Sequence, residues 1–270
     1  MDASRIHSVI AAGLSDPTLL AHWRQTPELL RRVQVDPAQL DLAALWKFAG
    51  LAEKIRCNPC RGDLPLTFRM LNKTGLEIEF FAGFAGRATE LRQAGRNDAR
   101  EKMGALLEFL RDWHDPRNRE HVLVWDLFRH EYAIAELQNP AIADVLLLSP
   151  PPAQADINVI PFVRGGIKLW RLRSDPRATA AELRKQTPEL SRLGLSPRLW
   201  IYWRAPGSEI SIIETDELIY NSLRLVDGTT ATSAIASRLR AAGAPVSSDV
   251  VLTALVALSE TGIIGFREAA

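Results

Sequence analysis

The spacing of apolar residues changes partway along this chain. In the first half they recur every three or four positions, most clearly at Leu42, Leu45, Trp46, Ala49 and Ala52. This spacing is typical of one buried face of an α-helix. It predicts a helix that ends by residue 58, where an Asn-Pro pair begins a loop.

Pairs of a capping residue and a proline predict where helices begin in this half. They stand at positions 16–17, 26–27 and 36–37, and proline suits the first helical turn. Further apolar patterns predict helices over residues 63–75, 76–94, 103–110 and 122–137. Residues 1–148 therefore predict an all-α helical domain.

After three consecutive prolines at positions 150–152 the apolar period becomes two, which is typical of strands. Strands at 157–163 and 167–172 flank Gly165-Gly166, and strands at 199–203 and 210–213 flank residues 205–208, so each pair predicts a hairpin. A helical insertion is predicted near residues 175–193. The prolines predict an extended linker at residues 149–156 between the two domains.

The end of the chain predicts three short helices and a final strand. The first helix spans residues 217–225, the second begins at Thr229, the third begins at Ser247 or Ser248, and the strand covers residues 263–266. The predicted fold is therefore α+β, with a winged-helix-like domain over residues 157–270.

Charge and hydropathy exclude several classes of function. Lys and Arg number 33 against 32 Asp and Glu, so there is no overall attraction to nucleic acid or anionic membrane. Apolar runs are shorter than the roughly 18 residues of a membrane span, and the first ten residues lack a signal-peptide pattern, which predicts a cytoplasmic protein. The third of the final helices has no Lys or Arg, which argues against DNA recognition.

Two cysteines and one polar loop are the candidates for chemistry. Cys57 and Cys60 could form a redox pair or half of a zinc site, but helices flank them and no second pair follows, which favours two ordinary cysteines. Nucleotide-binding and hydrolase motifs are absent from the sequence, so no self-contained active site or cofactor site is predicted.

The polar loop concentrates cationic and amide side chains beside a proline. Guanidinium groups here could bind a carboxylate of a substrate or of a partner protein, and a solvated loop is equally consistent with the pattern. The residues concerned are Arg56, Asn58, Arg61 and Arg69.

The last third of the chain resembles the PqqD-like recognition element of pathways that modify ribosomally made peptides (RiPPs). The resemblance rests on the Val226-Asp227-Gly228-Thr229 turn and on apolar positions at Leu218, Ile235, Leu239, Val251, Leu255, Leu258 and Ile263. Residues 36–48, Lys54-Ile55-Arg56-x-Asn58-Pro59-x-Arg61 and Leu64-Pro65-x-Thr67-Phe68 are similar to the partner subunits of multi-iron peptide oxidases. The chain as a whole most resembles the TglI-type partners of TglH and MbnB-like oxidases.

This resemblance implies a division of labour between two proteins. A TglH-like oxidase subunit would hold iron with His and Asp or Glu, while this chain, without a cofactor or catalytic residues, would hold a ribosomally made peptide so that its cysteine reaches the metal. The implied reaction is thiaglutamate-type excision of the cysteine β-carbon as formate. The methanobactin-type alternative converts cysteine to an oxazolone and thioamide.

The resemblance also implies where a peptide binds. Recognition elements hold their peptide between a strand edge and the third helix. The matching residues are Ile210, Ser211, Ile212 and Ile213 on the strand and Val250, Val251 and Ala254 on the helix. The same apolar residues are also consistent with a core, and two other hypotheses stay open, namely a winged-helix transcription regulator and a redox or metal enzyme built on the cysteine pair.

Overall fold

A computed structural model of the chain describes residues 3–96, 98–138, 156–205 and 207–268. They form two compact units, one within Met1–Glu131 plus Arg177–Ser191 and one within Tyr132–Pro176 plus Arg192–Ala270. A helical N-terminal region precedes strands and helices, so the mixed fold class predicted from the sequence is confirmed at this level. Most of the predicted proline linker lies outside the described residues.

The first unit is built from α-helices and short 3-10 helices. The α-helices are α1 (Ala3–Ser15), α2 (Pro17–Gln25), α3 (Leu42–Arg56), α4 (Pro65–Lys73), α5 (Glu77–Gln93), α6 (Ala99–Trp113) and most of α7 (Arg119–Leu137), followed after a gap by most of α8 (Pro176–Leu183). The predicted insertion near 175–193 therefore groups with the helical unit. Within this unit, the side-chain ammonium of Lys73 donates to the carbonyl of Gln186 at 3.1 Å, and the guanidinium of Arg119 donates to the carbonyl of Leu190 at 2.9 Å.

Only one of the three proline pairs begins an α-helix as predicted. Asp16 caps α2 by accepting from the N–H of Thr18 at 3.0 Å. The other two pairs begin the 3-10 helices Pro27–Val33 and Pro37–Gln39. Helix α3 begins at Leu42 because Asp41, which lies closer to the apolar run, accepts from the N–H of Ala44 at 2.9 Å.

Helices α3 and α5 approach closely at one glycine. A Cβ atom on Gly50 would lie 2.3 Å from the carbonyl oxygen of Ile78 and 3.1 Å from Cβ of Ala82. These small residues therefore let the two backbones pack together. The neighbouring Glu53 is buried, and Arg92 binds its carboxylate at 2.8 Å.

The first turn of α4 is capped by a side chain from α7. Pro65 has no N–H, and the next two N–H groups, of Leu66 and Thr67, donate to the buried carboxylate of Glu131 at 2.7 and 2.8 Å. The hydroxyl of Thr67 donates to it as well, at 2.7 Å. Burial raises the pKa of Glu131 to about 7, and these three hydrogen bonds oppose the rise.

Two results are expected at Glu131. Glu131→Ala should lower the free energy of unfolding by about 1–3 kcal/mol, because buried donors lose their acceptor.

The pKa of Glu131 in the folded protein, about 7, lies above the ordinary value of 4.5. Between these two pH values Glu131 is protonated in the folded protein but ionised in the unfolded one, so stability should fall as the pH rises through that window. Urea unfolding at pH 5 and pH 8 tests this. Glu131→Gln, which cannot ionise, should lose this part of the pH dependence, and an unchanged dependence in Glu131→Gln would contradict the assignment.

The second unit contains two small antiparallel sheets. Strand β1 (Ile160–Val163) pairs with β5 (Ile264–Arg267), while β2 (Gly166–Leu172), β3 (Arg198–Arg204) and β4 (Ser211–Thr215) form a sheet in that order. The predicted pairing of residues 199–203 with 210–213 is confirmed. The predicted hairpin at Gly165-Gly166 is wrong. The Arg164 N–H donates to the carbonyl of Ile263 at 2.9 Å, which extends the pairing with β5, and Gly165 at φ +142° carries the chain into the other sheet.

Both faces of the three-stranded sheet are apolar. On one face Ile201 of β3 joins the core formed with the helices α9 (Glu217–Leu225), α10 (Thr232–Ala241) and α11 (Ser248–Glu260). On the other face Trp200 and Tyr202 pack against Ala133 and Leu137 at the end of α7. These α7 residues group with the second unit for this reason, rather than with the helical domain predicted for residues 1–148.

Two side chains cap the last helices, and a third stabilises a turn between them. Asp216 caps α9 at the N–H of Ile219 at 2.9 Å, and Ser247 caps α11 at the N–H of Val250 at 3.3 Å. The predicted start of a helix at Thr229 is wrong, because Asp227 accepts from the Thr229 N–H at 2.8 Å in a turn that precedes α10. Hydrogen bonds from this turn hold the pKa of Asp227 below its usual range. Among the described helices, none is both long and apolar enough to span a membrane.

Candidate functional sites

Strand β4 lies at an edge of its sheet. Among the described strands it pairs only with β3, in a register that places Ile201 opposite Ile213 and Tyr202 opposite Ile212. Successive side chains of a strand point to opposite faces. Ile213 therefore faces the side of α9 to α11, and Ile212 faces the side of α7.

A groove of about 620 Å³ opens beside this edge on the α11 side. Apolar side chains from β3, β4, α9 and α11 line it, with acidic and hydroxyl groups also in the wall. We call it the α11 groove, and its lining residues are Ile201, Ile213, Glu214, Thr215, Asp216, Ile219, Ala257, Leu258 and Thr261. Glu214 binds Arg198 at 3.1 Å, and Asp216 caps α9.

A second groove of about 420 Å³ opens on the α7 side of the same strand. We call it the α7 groove, and its lining residues are Ile134, Gln138, Arg204, Ser208, Glu209, Ile210 and Ile212. Arg204 is held there by the carbonyls of Leu137 at 2.9 Å and Ser208 at 3.1 Å. Strand β4 therefore has a groove on each face, and the lining on the α7 side is part apolar and part polar.

The structure brings together the strand residues that the sequence analysis singled out, but not the helix residues. Ile213 lines the α11 groove, Ile210 and Ile212 line the α7 groove, and Ser211 begins β4. On α11, Val251 is fully buried in the core and Val250 is exposed outside the groove. Ala254 lies one turn before Leu258 and also outside the lining.

The α11 side of the groove is formed by Ala257 and Leu258 from the C-terminal end of the helix and by Thr261, which directly follows it. They lie three, four and seven positions after Ala254, on the same helical face. The helical repeat therefore predicts the face of α11 that lines the groove. It could not show which end of the helix lies beside the strand, because the crossing of helix and sheet depends on tertiary packing.

Two of the four polar-loop residues line a separate cavity in the helical unit. This α4 cavity has a volume of about 410 Å³, and its lining residues are Lys54, Arg61, Pro65, Phe68, Arg69 and Asn72. Arg56 and Asn58 are not among them. Arg56 instead lies 3.4 Å from the buried carboxylate of Glu53. Lys54 and Asn72 were not predicted, although both lie on helices that flank the loop.

The two cysteines are buried and unpaired. Cys57 donates to the Glu53 carboxylate at 3.8 Å, and burial together with that charge raises the pKa of its thiol. Burial also raises the pKa of Cys60 to about 11. Reactive thiols need a lowered pKa and access to solvent, so these features favour structural cysteines. Within the described residues, no group of three or more His, Cys, Asp or Glu side chains is placed to hold a metal ion.

The cysteine environment gives a direct prediction. In the native protein at pH 7.5, both thiols should react with Ellman's reagent far more slowly than free cysteine, because the thiolate is scarce and the sulfurs are buried. Both should react fully in 6 M guanidinium chloride. A native thiol that reacts as fast as free cysteine would contradict this interpretation and favour the redox alternative.

Helix α3 carries an exposed apolar stripe on the face opposite its buried residues. Phe48, Leu51 and Ile55 lie at i, i+3 and i+7 and are 56%, 45% and 58% exposed. Ala44 extends the stripe by one turn and is also exposed. Contiguous exposed apolar side chains of this kind are typical of protein interaction sites.

Comparison of the sequence with models of known protein families and with curated proteins found no match in either search. The candidate sites are therefore interpreted from their own geometry.

Proposed function

We propose that this protein recruits a ribosomally made peptide to a partner enzyme and is not itself the catalyst. The observation that carries the proposal is the edge strand β4, with the α11 groove on one face and the α7 groove on the other. An extended peptide that adds to such an edge gains backbone hydrogen bonds, and its alternate side chains enter the two grooves. Affinity then comes from the backbone and selectivity from the grooves.

The grooves favour an apolar peptide segment. Ile201, Ile213, Ile219 and Leu258 would receive side chains on one face, and Ile134, Ile210 and Ile212 would receive them on the other. The acidic residues that line the α11 groove already have partners, because Glu214 binds Arg198 and Asp216 caps α9, so selectivity should come mainly from the apolar positions.

The order of elements in the second unit supports a winged-helix-like recognition element of the PqqD type. Three antiparallel strands, β2 to β4, precede α9, α10 and α11, and the returning strand β5 pairs with β1. A winged-helix transcription regulator is disfavoured by charge. Helix α11 has no Lys or Arg and carries Asp249 and Glu260, whereas a recognition helix needs cations near phosphate.

The proposed partner is a TglH-like iron oxidase subunit. It would hold the iron, and the proposed reaction is oxidative excision of the β-carbon of a peptide cysteine as formate, in which an external oxidant such as dioxygen is reduced; oxidative formation of an oxazolone and thioamide is the methanobactin-type alternative. In this arrangement the chain contributes binding and orientation of the peptide, which place the cysteine near the metal. The exposed stripe of Phe48, Leu51 and Ile55 on α3 is the surface we assign to the oxidase.

The test is a reconstituted reaction. A candidate cysteine-containing precursor peptide is incubated with a candidate iron oxidase, with this protein, or with both, and the products are measured by mass spectrometry. We expect a mass change of the peptide only when both proteins are present. A mass change of similar yield with the oxidase alone would contradict the proposed recruiting role, and a change with this chain alone would contradict the assignment of catalysis to the partner.

A further inference from the structure

The α4 cavity has no role in the peptide-recruiting function proposed above. It lies in the helical unit, between the end of α3, the 3-10 helix Asn58–Arg61 and α4. Pro65 and Phe68 form an apolar wall, and the other lining side chains are three cations and one amide. This combination is suited to a ligand with a short apolar stem and a negatively charged end.

The charges of the cavity do not cancel. Lys54, Arg61 and Arg69 are cationic, and the carboxylate of Glu77 lies within 2.6 Å of Lys54 and 3.6 Å of Arg61. One carboxylate compensates one of the three positive charges. Within the described part of the chain, Arg69 forms no ion pair with an acidic side chain. The cavity is therefore left with an excess of positive charge that favours an anion.

Two of the three cationic groups, Lys54 and Arg61, are held in place before any ligand arrives. Glu77 is buried, and the Asn72 side-chain amide donates to the same carboxylate oxygen that binds Lys54, at 3.2 Å. The guanidinium of Arg61 lies over the ring of Phe68, 5.2 Å from its centroid. Such preorganisation lowers the entropy lost when a ligand binds.

We propose that the α4 cavity binds a carboxylate group of a peptide or protein. The guanidinium groups of Arg61 and Arg69 can donate to both carboxylate oxygens, and Lys54 adds positive charge. Pro65 and Phe68 contact the ligand carbon atoms next to the carboxylate. A phosphate would usually also bind backbone N–H groups at a helix N-terminus. At α4 those of Leu66 and Thr67 are already bonded to Glu131, so a carboxylate fits better.

The carboxylate can come from an acidic side chain or from a peptide C-terminus. Three probes distinguish these sources in an NMR titration of the full chain that follows the arginine side-chain N–H signals. They are acetyl-Ala-Glu-Ala-amide, acetyl-Ala-Gln-Ala with a free C-terminal carboxylate, and acetyl-Ala-Gln-Ala-amide, which has no carboxylate. We expect saturable shifts of Arg61 and Arg69 with at least one of the first two and none with the third. If neither carboxylate probe binds, or if inorganic phosphate binds more tightly than both, the proposal is wrong.

Matched arginine variants test the location. Arg69→Gln should weaken binding of the carboxylate probe about tenfold or more, because a charge-assisted hydrogen bond is lost. Arg32→Gln changes an exposed arginine of the same unit that does not line the cavity, and it should bind the probe as the wild type does. Unchanged binding by Arg69→Gln, or an equal loss in Arg32→Gln, overturns the assignment. The assay uses neither a leader peptide nor the oxidase, so its result is independent of the proposed function.

Discussion

Replacing Ile213 with Glu should weaken binding of a leader peptide by at least about 30-fold, which corresponds to about 2 kcal/mol. Ile213 lies on the edge strand and lines the α11 groove. A carboxylate there would be desolvated by the incoming apolar side chain without a partner to compensate its charge. Fluorescence anisotropy with a labelled candidate precursor peptide measures the change.

Val250→Glu is the matched control for this variant. Val250 is an exposed aliphatic residue of the same unit, in the first turn of α11, and it does not line the groove. It should bind the peptide with wild-type affinity. Because both positions are exposed, we expect both variants to fold, which circular dichroism and thermal unfolding check. A loss of affinity in Val250→Glu but not in Ile213→Glu would place the peptide at the start of α11 instead.

Replacing Phe48 with Glu should prevent stable association with the oxidase partner. Phe48 is the aromatic residue of the exposed stripe on α3, and large aromatic side chains often dominate the energy of an interface. Burying a Glu side chain there without a partner would cost about 2 kcal/mol or more, or about 30-fold in affinity. Co-expression with a candidate iron oxidase followed by size-exclusion chromatography detects the complex.

Val33→Glu is the control for the interface. Val33 ends the 3-10 helix Pro27–Val33, is similarly exposed and lies outside the stripe. The complex should survive this change. If Phe48→Glu elutes with the oxidase as the wild type does, the α3 stripe is not the interface, whereas equal loss in both variants would indicate a nonspecific effect of the added charge.

The parts of the fold that the sequence predicted well are those determined by local chemistry. Asp216 and Ser247 cap helices whose bounds follow from the apolar period, and the β3–β4 pairing follows from a turn between two apolar strands. The sequence misassigned Gly165-Gly166, whose glycines are compatible with a tight hairpin. The actual partner of β1 is β5, about a hundred positions later, and no local signal identifies it.

For the candidate sites, too, local chemistry was predictable from the sequence and long-range packing was not. Ile210 to Ile213 could be placed on a strand beside the helices, but which end of α11 approaches that strand is set by long-range packing. Of the four polar-loop residues, Arg61 and Arg69 converge on a cavity, while Arg56 turns to Glu53. Which arginines reach the cavity depends on the carboxylates of Glu53 and Glu77, whose burial the sequence pattern did not predict.

Hydrogen exchange measured by mass spectrometry, with and without a bound precursor peptide, tests the central proposal most directly. If the peptide adds to the sheet as a strand, backbone amides within Ser211–Thr215 should gain protection, and so should the bound segment of the peptide. The segments that form α10 should stay unchanged. Protection confined to regions away from β4, or a bound peptide whose amides exchange as freely as in solution, would contradict recruitment by strand addition.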